Sequence, residues 1–224
     1  MVAGGGSFLT LPLLIFLGYP PGVANGTNRV GILAQNVAAV LGFHRHGVLD
    51  TRLGLLAAAP ATLGALVGSS AAVAVGDDAF RRILAVLMLA AAFAALLPGS
   101  RRETASGSVR PLAFAASFFG VGVYGGFVQA GIGFLILAVT SAAGIDLVRA
   151  NALKVLCVLV FTPLALAVFA FDGKVHWGAG LALAVGGLVG GRLGVHFTLN
   201  RRQGTVRTVV QVAIVLCALR LLFW

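Results

Sequence analysis

The stretch GYPPGVAN, residues 18–25, returns in altered form as GIDLVRAN, residues 144–151, 126 residues further along the chain. Both stretches open on a glycine and close on the pair Ala-Asn. The same offset, with no gap, relates further pairs: Gly47 and Gly173, Gly54 and Gly180, Gly64 and Gly190, Gly68 and Gly194, and Arg81 and Arg207. The chain therefore contains two copies of one unit, an organisation that many secondary transporters share.

The composition places this doubled unit in a lipid bilayer. Hydrophobic residues make up 59% of the 224 residues and charged residues 10%, with a mean hydropathy of +1.03. A soluble domain carries about 25% charged residues, so this chain has too few charges to cover a surface in water. A transmembrane β-barrel is disfavoured, because its strands alternate apolar and polar residues in segments of about ten. The composition predicts an all-α, polytopic membrane protein.

Several apolar stretches approach the length of about 20 residues that a spanning helix needs. They run approximately over residues 24–43, 53–75, 83–97, 112–127, 150–171, 177–199 and 206–223. Two further stretches, at 8–17 and 134–142, are too short to span alone. Each follows a glycine-rich segment, at residues 3–6 and 129–133, so we expect each copy to open with a helix or hairpin that glycine interrupts.

The two copies differ at their beginnings. The second has an apolar helix, residues 112–127, ahead of its glycine break, whereas the first reaches its break by residue 3. We expect a start upstream of Met1, or a natural truncation. The upstream start is favoured, because losing half of a paired element leaves backbone polar groups unmatched in a membrane. The predicted division is a first, N-terminally incomplete repeat at 1–99, a basic cytoplasmic linker at 100–110 and a second repeat at 111–224.

The distribution of basic residues predicts how the copies are oriented. An odd number of crossings per full repeat inverts the second copy, and then most basic residues lie on one side, with Arg81, Arg82 and Lys174 opposite. The residues on the larger side are Arg45, Arg52, Arg101, Arg102, Arg110, Arg149, Arg201, Arg202 and Arg207. Reading 112–142 as one broken crossing makes the copies parallel and divides these residues evenly. The positive-inside rule favours inverted repeats, with the C-terminus outside the cytoplasm.

The glycine breaks are the first candidate site. Irregular backbone survives in a bilayer only where protein buries it or water reaches it, and helix ends there direct free N–H groups at an anion. The substrate-binding candidates are Gly131 and Gly133, and the possible substrate or gating residues are Gly4, Gly5 and Gly6. Close helix packing is the alternative, and it is the simpler account of the pairs Gly64/Gly68 and Gly190/Gly194.

Polar residues follow each break. Asn25, Thr27, Asn28 and Arg29 come early in one apolar helix, and Asn151 and Lys154 come early in its counterpart. Asn25 and Asn151 could instead be N-caps, and the two cations could extend to the interface, but a charge one turn inside an apolar helix is costly unless it is paired or hydrated. We expect Asn25, Thr27, Asn151 and Lys154 to bind substrate and Asn28 and Arg29 to have a substrate or gating role. Gln129, inside the second break, could donate to an oxyanion.

Other chemistry is poorly represented. No carboxylate lies in the middle of a span, and no nucleotide-binding or nucleophile motif is present, so neither enzyme activity nor a cofactor is expected. Cys157 and Cys217 are expected to be packing residues, and His44-Arg45-His46 lacks the Cys or carboxylate neighbours of a metal site. Arg192 and His196 lie near a helix end, where extension to the interface is the favoured explanation. The basic residues sit in short loops, which indicates membrane orientation and not nucleic-acid binding.

At these residues the chain resembles the TauE/SafE family of sulfite and organosulfonate exporters. The resemblance covers both copies and rests on these residues: Gly4-Gly5-Gly6 followed by Pro12, Gly18 with Ala24-Asn25-Gly26-Thr27, Gly125-Gly126-Phe127 with Ala130-Gly131-x-Gly133, and Ala150-Asn151-Ala152 with Lys154. It implies a multi-pass protein of the bacterial cytoplasmic (inner) membrane that exports small sulfur-containing anions.

Together these observations predict a secondary transporter of a small oxyanion, such as sulfite or an organosulfonate, that works by alternating access. The partners expected are the anionic substrate and the lipid bilayer, and a homodimer is compatible with this interpretation. The alternative is a membrane scaffold or assembly factor without transport activity.

Overall fold

The computed structural model describes residues 6–96, 111–199, 212 and 215–221, and all of its regular elements are helices. They are α1 (Gly6–Phe16), α2 (Pro21–Arg45), α3 (Thr51–Ala74), α4 (Asp77–Leu96), α5 (Pro111–Phe127), α6 (Ile132–Ala142), α7 (Leu147–Phe171) and α8 (Trp177–Leu199). Residues 215–221 are also helical. The all-α prediction is confirmed for this part of the chain, whereas the predicted linker at 100–110 lies outside it.

Three of the described helices, α3, α7 and α8, are long and apolar enough to cross a membrane. The helices α1 and α6 have 11 residues each, as expected from their short apolar stretches. Although α2 is as long as α7, with 25 residues, it is much more polar. Its buried residues include Asn25, Asn28 and Arg29.

The two counterpart helices α2 and α7 begin earlier than the sequence pattern suggests. Pro21 begins α2, because the backbone φ angle of proline already matches the first turn of a helix. No side chain caps this helix start. Asp146 caps α7 by accepting hydrogen bonds from the backbone N–H groups of Val148 and Arg149 at 3.0 and 3.1 Å. Asn25 and Asn151 therefore lie one turn inside their helices, and the alternative that they are N-caps is wrong.

Each copy packs one of its helices on the other copy. Along α2 and α8 the contacts advance in the same direction, from Val30 beside Gly180 to Gly42 beside Val195, so these helices are parallel. Gly54 of α3 is the repeat counterpart of Gly180, and it packs against Leu156 of α7, the counterpart of Val30. The α2–α8 and α7–α3 contacts are therefore reciprocal.

The counterpart helices α2 and α7 run in opposite directions. Near the start of α2, the Arg29 guanidinium lies 4.5 Å from the centre of the Phe169 ring, late in α7. Near the end of α2, Ala39 and Phe43 share an apolar cluster with Ala152 and Val155, early in α7.

The glycine pairs differ between the copies. A Cβ on Gly64 or Gly68 of α3 would overlap the backbone of α5, so these glycines permit close helix contact, as expected. Gly190 of α8 is the counterpart of Gly64, but a Cβ there meets no atom within 4 Å in the described part of the chain. The packing prediction is thus confirmed for Gly64/Gly68, and the structure does not bear it out at Gly190.

Candidate functional site

The break in the second copy separates α5 from α6. The backbone is not helical over residues 128–131, and Gly131 has φ +79°, in the left-handed region. A Cβ at Gly131 would also overlap the Phe8 ring of α1. Glycine is therefore required at residue 131 by its conformation and by its neighbour. Gly133 lies buried in the first turn of α6.

Two side chains of α2 bind the end of α5. Arg29 is fully buried, and its guanidinium donates to the carbonyl oxygens of Gly125, at 3.2 Å, and Gly126. The Asn25 Nδ2 donates to the carbonyl oxygen of Phe127 at 2.8 Å. The last carbonyls of a helix have no partner within the helix and carry its negative dipole end. Arg29 and Asn25 of the first copy therefore supply hydrogen-bond donors to the free carbonyl groups at the C-terminal end of α5 in the second copy.

Gln129 sits in the break and is buried with a partner that sequence analysis missed. Its Nε2 donates to Oγ1 of Thr162 at 2.7 Å, and Thr162 donates to the carbonyl oxygen of Val158 at 2.6 Å. Thr162 carries a hydroxyl group in the middle of the apolar helix α7. A polar residue at such a position is the signal by which the sequence could have indicated this partner. We call Asn25, Arg29, Gln129 and Thr162 the break cluster.

Some polar atoms near the break remain without partners. Within the described residues, the buried atoms with no hydrogen-bond partner are Asn25 Oδ1, Asn28 Nδ2, Arg29 Nε and Gln129 Oε1. Buried polar groups are rarely left unpaired. Asn28 Nδ2 and Arg29 Nε are donors, and the two amide oxygens are acceptors. This set can therefore donate to an anion and can also accept from a hydroxyl group or a water molecule.

Asn151 and Lys154 form a second polar pair, which we call the lysine cluster. Lys154 is 4% exposed, and its Nζ donates to Asn151 Oδ1 at 2.7 Å. The Asn151 Nδ2 donates to the carbonyl oxygen of Leu147 at 2.8 Å. The pair shares one face of α7 because its members are three residues apart.

Neither buried cation has a carboxylate partner in the ranges that the structure describes. The ion pairs found there are Arg81–Asp78, Arg149–Asp146 and Lys174–Asp172. In those same ranges no three His, Cys, Asp or Glu side chains come close enough to hold a metal ion. The chemistry available in the two clusters is hydrogen bonding and positive charge.

The structure does not bring the two clusters together at one point. Because α2 and α7 are antiparallel, Arg29 lies beside Phe169, 15 residues beyond Lys154. At about 1.5 Å per residue those 15 residues span about 22 Å along α7. Thr162, the member of the break cluster that α7 carries, is nearer, since it lies eight residues, or about 12 Å, beyond Lys154. The structure therefore places the predicted polar residues in two separate clusters, and their role in binding substrate stays a prediction.

The remaining predicted residues have hydrogen-bond partners on other elements, begin a helix, or lie outside the described residues. Thr27 Oγ1 accepts from the backbone N–H of His176 at 2.9 Å, which ties α2 to the loop before α8. Thr10 donates to Asn28 Oδ1 at 2.6 Å. Gly6 begins α1, and Gly4 and Gly5 lie before the first described residue.

Asn28 also borders a cavity between α2 and α8. The cavity has a volume of about 310 Å³, and its polar lining includes Thr10, Asn28 and Gln35. Gly186, Gly187 and Gly190 form part of the opposite wall. Among the described residues, Asn28 and Gly6 are therefore predicted substrate or gating residues that border open space.

The known proteins that this chain resembles are named as exporters or probable membrane transporters. The family model described as sulfite exporter TauE/SafE matches residues 1–221. The probable membrane transporter protein ORF9 of Sinorhizobium sp is 28% identical over 99% of this chain and 86% of its own length. The probable membrane transporter protein YfcA of Escherichia coli is 29% identical over 99% of this chain and 84% of its own length. A probable membrane transporter protein of Xylella fastidiosa is 30% identical over 87% of this chain and 77% of its own length. No solved structure matches the chain.

Proposed function

The chain belongs to the sulfite exporter TauE/SafE family of membrane transporters, and we propose that it exports a small sulfur-containing oxyanion across the bacterial cytoplasmic membrane by alternating access. As a member it is a multi-pass protein with a small-molecule substrate. Sulfite and organosulfonates are the proposed substrates.

The observation that carries the proposal is the environment of Lys154. An ammonium group has three hydrogen-bond donors, and within the part of the chain that the structure describes the Lys154 ammonium has one partner, the neutral side chain of Asn151. A buried cation is costly without an opposite charge. Arg29 differs, because α5 carbonyls already engage its guanidinium. An oxyanion that reaches the lysine cluster would supply the missing charge and acceptor oxygens.

The arrangement of the helices supports alternating access. The reciprocal α2–α8 and α7–α3 contacts, together with the antiparallel α2 and α7, are the relationship expected of inverted repeats. We therefore propose that the repeats at 1–99 and 111–224 are inverted, that the residues between them form a cytoplasmic linker, and that the C-terminus lies outside the cytoplasm. The homodimer stays a prediction.

The two clusters have partly related positions in their repeats, since Asn25 of the break cluster corresponds to Asn151 of the lysine cluster. Asn28, which lies one turn after Asn25 but outside the break cluster, corresponds to Lys154. The two clusters lie towards opposite ends of the α2–α7 pair, so we propose that each holds the anion when the transporter opens to one side. The unpartnered acceptors of the break cluster suit an oxyanion that carries a hydroxyl group or arrives with water.

Flux into liposomes tests this function. Purified protein is reconstituted, and uptake of ³⁵S-labelled sulfite, taurine and sulfoacetate is measured for wild type, Lys154→Gln and Arg149→Gln. Arg149 is the matched control, because it lies on α7, is exposed and pairs with Asp146. We expect Lys154→Gln to lower flux at least tenfold while its thermal stability stays at or above that of wild type, since it removes a buried charge.

Wild-type flux in Lys154→Gln would refute the role of the lysine cluster. An absence of flux for every labelled compound in wild-type liposomes would favour the scaffold or assembly factor.

A further inference from the structure

A second cavity lies on the other flank of the α2–α8 pair, at the C-terminal ends of both helices. It has a volume of about 430 Å³ and is bordered by Arg45 and His46 at the end of α2 and by Arg192 and His196 of α8. Because α2 and α8 are parallel, side chains from two distant parts of the sequence meet at one end of the molecule. None of the described residues that line this cavity is an Asp or Glu.

The remaining wall is apolar. It includes Val37, Leu41, Leu188 and Leu199. Leu41 is 52% exposed and Leu188 is 42% exposed, and such side chains in a membrane protein contact lipid. A ligand complementary to this cavity must therefore combine an anionic head with an apolar body, and must reach it from the bilayer.

We propose that this cavity binds an anionic phospholipid, with the phosphodiester between Arg45 and Arg192 and an acyl chain along Leu41 and Leu188. Guanidinium groups form paired hydrogen bonds with phosphate oxygens, and basic pockets between transmembrane helices bind lipid head groups. The site is separate from both clusters of the proposed transport path, so it does not depend on the identity of the transported anion.

Two simpler explanations predict different behaviour. An arginine that only extends to the interface attracts anionic head groups by its own charge and does not hold one lipid in a defined position. A cation that only offsets the negative end of its own helix is stabilised there without a ligand. Neither explanation links Arg45 on one helix to Arg192 on the other, whereas a shared phosphodiester makes their effects on binding interdependent.

Native mass spectrometry of the detergent-purified protein tests the proposal, with dioleoyl phosphatidylglycerol and dioleoyl phosphatidylcholine as probes. We expect one phosphatidylglycerol to be retained in preference to phosphatidylcholine. The double variant Arg45→Gln/Arg192→Gln should weaken phosphatidylglycerol binding at least tenfold. Arg52→Gln, an exposed cation at the start of α3 that does not border the cavity, should leave binding unchanged.

A second variant removes the apolar half of the site without changing its charge. Leu41→Trp should fill the space beside Leu188 and also weaken phosphatidylglycerol binding. Equal binding by wild type and the double variant would overturn the proposal. Displacement of the lipid by millimolar inorganic phosphate would also overturn it, because the site would then recognise a free anion.

Discussion

The Arg29 guanidinium donates to the carbonyl oxygen of Gly125, 96 residues later in the chain. It also donates to Gly126 and lies against the Phe169 ring, so α2 joins the end of α5 to the second half of α7. These contacts give Arg29 a structural role that its position in an apolar helix did not reveal.

Replacing Arg29 by leucine should destabilise the protein. The substitution leaves the buried carbonyls of Gly125 and Gly126 without their donor, and we expect a loss of about 2 kcal/mol after allowing for removal of the buried charge. Arg29→Lys should fall between wild type and Arg29→Leu. Thermal denaturation in detergent measures the effect, with the exposed Arg82→Gln as control. Wild-type stability of Arg29→Leu would contradict the assignment.

Gly131→Ala should destabilise the protein in two ways, through the backbone conformation of residue 131 and through overlap with the Phe8 ring. The left-handed conformation costs an alanine about 1–2 kcal/mol, and overlap with Phe8 adds to that. In a Phe8→Ala background the second cost disappears and the first remains. The double-mutant cycle should therefore show a favourable coupling between residues 8 and 131, measured by thermal or denaturant unfolding. Strict additivity would mean that Phe8 does not crowd residue 131.

The counterpart glycines Gly64 and Gly190 should respond differently to alanine. Gly64→Ala forces α3 away from α5 and should cost about 1–3 kcal/mol. Gly190→Ala adds a methyl group where the described structure has open space, and it should be neutral or stabilising by up to about 1 kcal/mol, because alanine favours helix. Thermal stability of the two purified variants gives the comparison. Destabilisation by Gly190→Ala would indicate that another segment or molecule covers that face.

Asn151→Asp should convert the lysine cluster into an ion pair. The new carboxylate would neutralise Lys154, so we expect flux to fall at least tenfold while stability is maintained, because both partners are in place. Asn151→Ala removes the amide but leaves the Lys154 ammonium without a neighbouring negative charge. This variant should therefore retain more flux than Asn151→Asp. Liposome uptake and thermal denaturation are measured together. If Asn151→Asp transports as wild type does, a net positive charge at Lys154 is not what attracts the anion.

The sequence pattern predicted the helical membrane fold, the glycine break at residues 129–133 and the short helices α1 and α6. These features are local, since glycine, proline and apolar length act within one or two turns. The apolar pattern predicts the helix starts too late, because Pro21 begins α2 and Asp146 caps α7 ahead of the apolar residues. Both are also local signals, and they were available in the sequence.

The separation of the two clusters could not be predicted in the same way. Both Asn25 and Asn151 follow a turn glycine and an alanine, and this likeness suggested one shared site. Their distance depends on the antiparallel contact of α2 with α7, which is a property of residues such as Phe169 and Ala152 far along the chain. The pairing of Gln129 with Thr162 likewise depends on how α7 is placed beside the break.

The contact between Arg29 and α5 also has a consequence for biosynthesis. The ribosome makes α2 well before α5, so the guanidinium enters the membrane before the carbonyls that receive it exist. A chain halted after α4 would hold a cation whose partners have not been translated, and the first half should not be stable when expressed alone. Coexpression with residues 111–224 should restore the stability of the first half. Pulse-chase measurement of the degradation rate of the first half, with and without its partner, would test this.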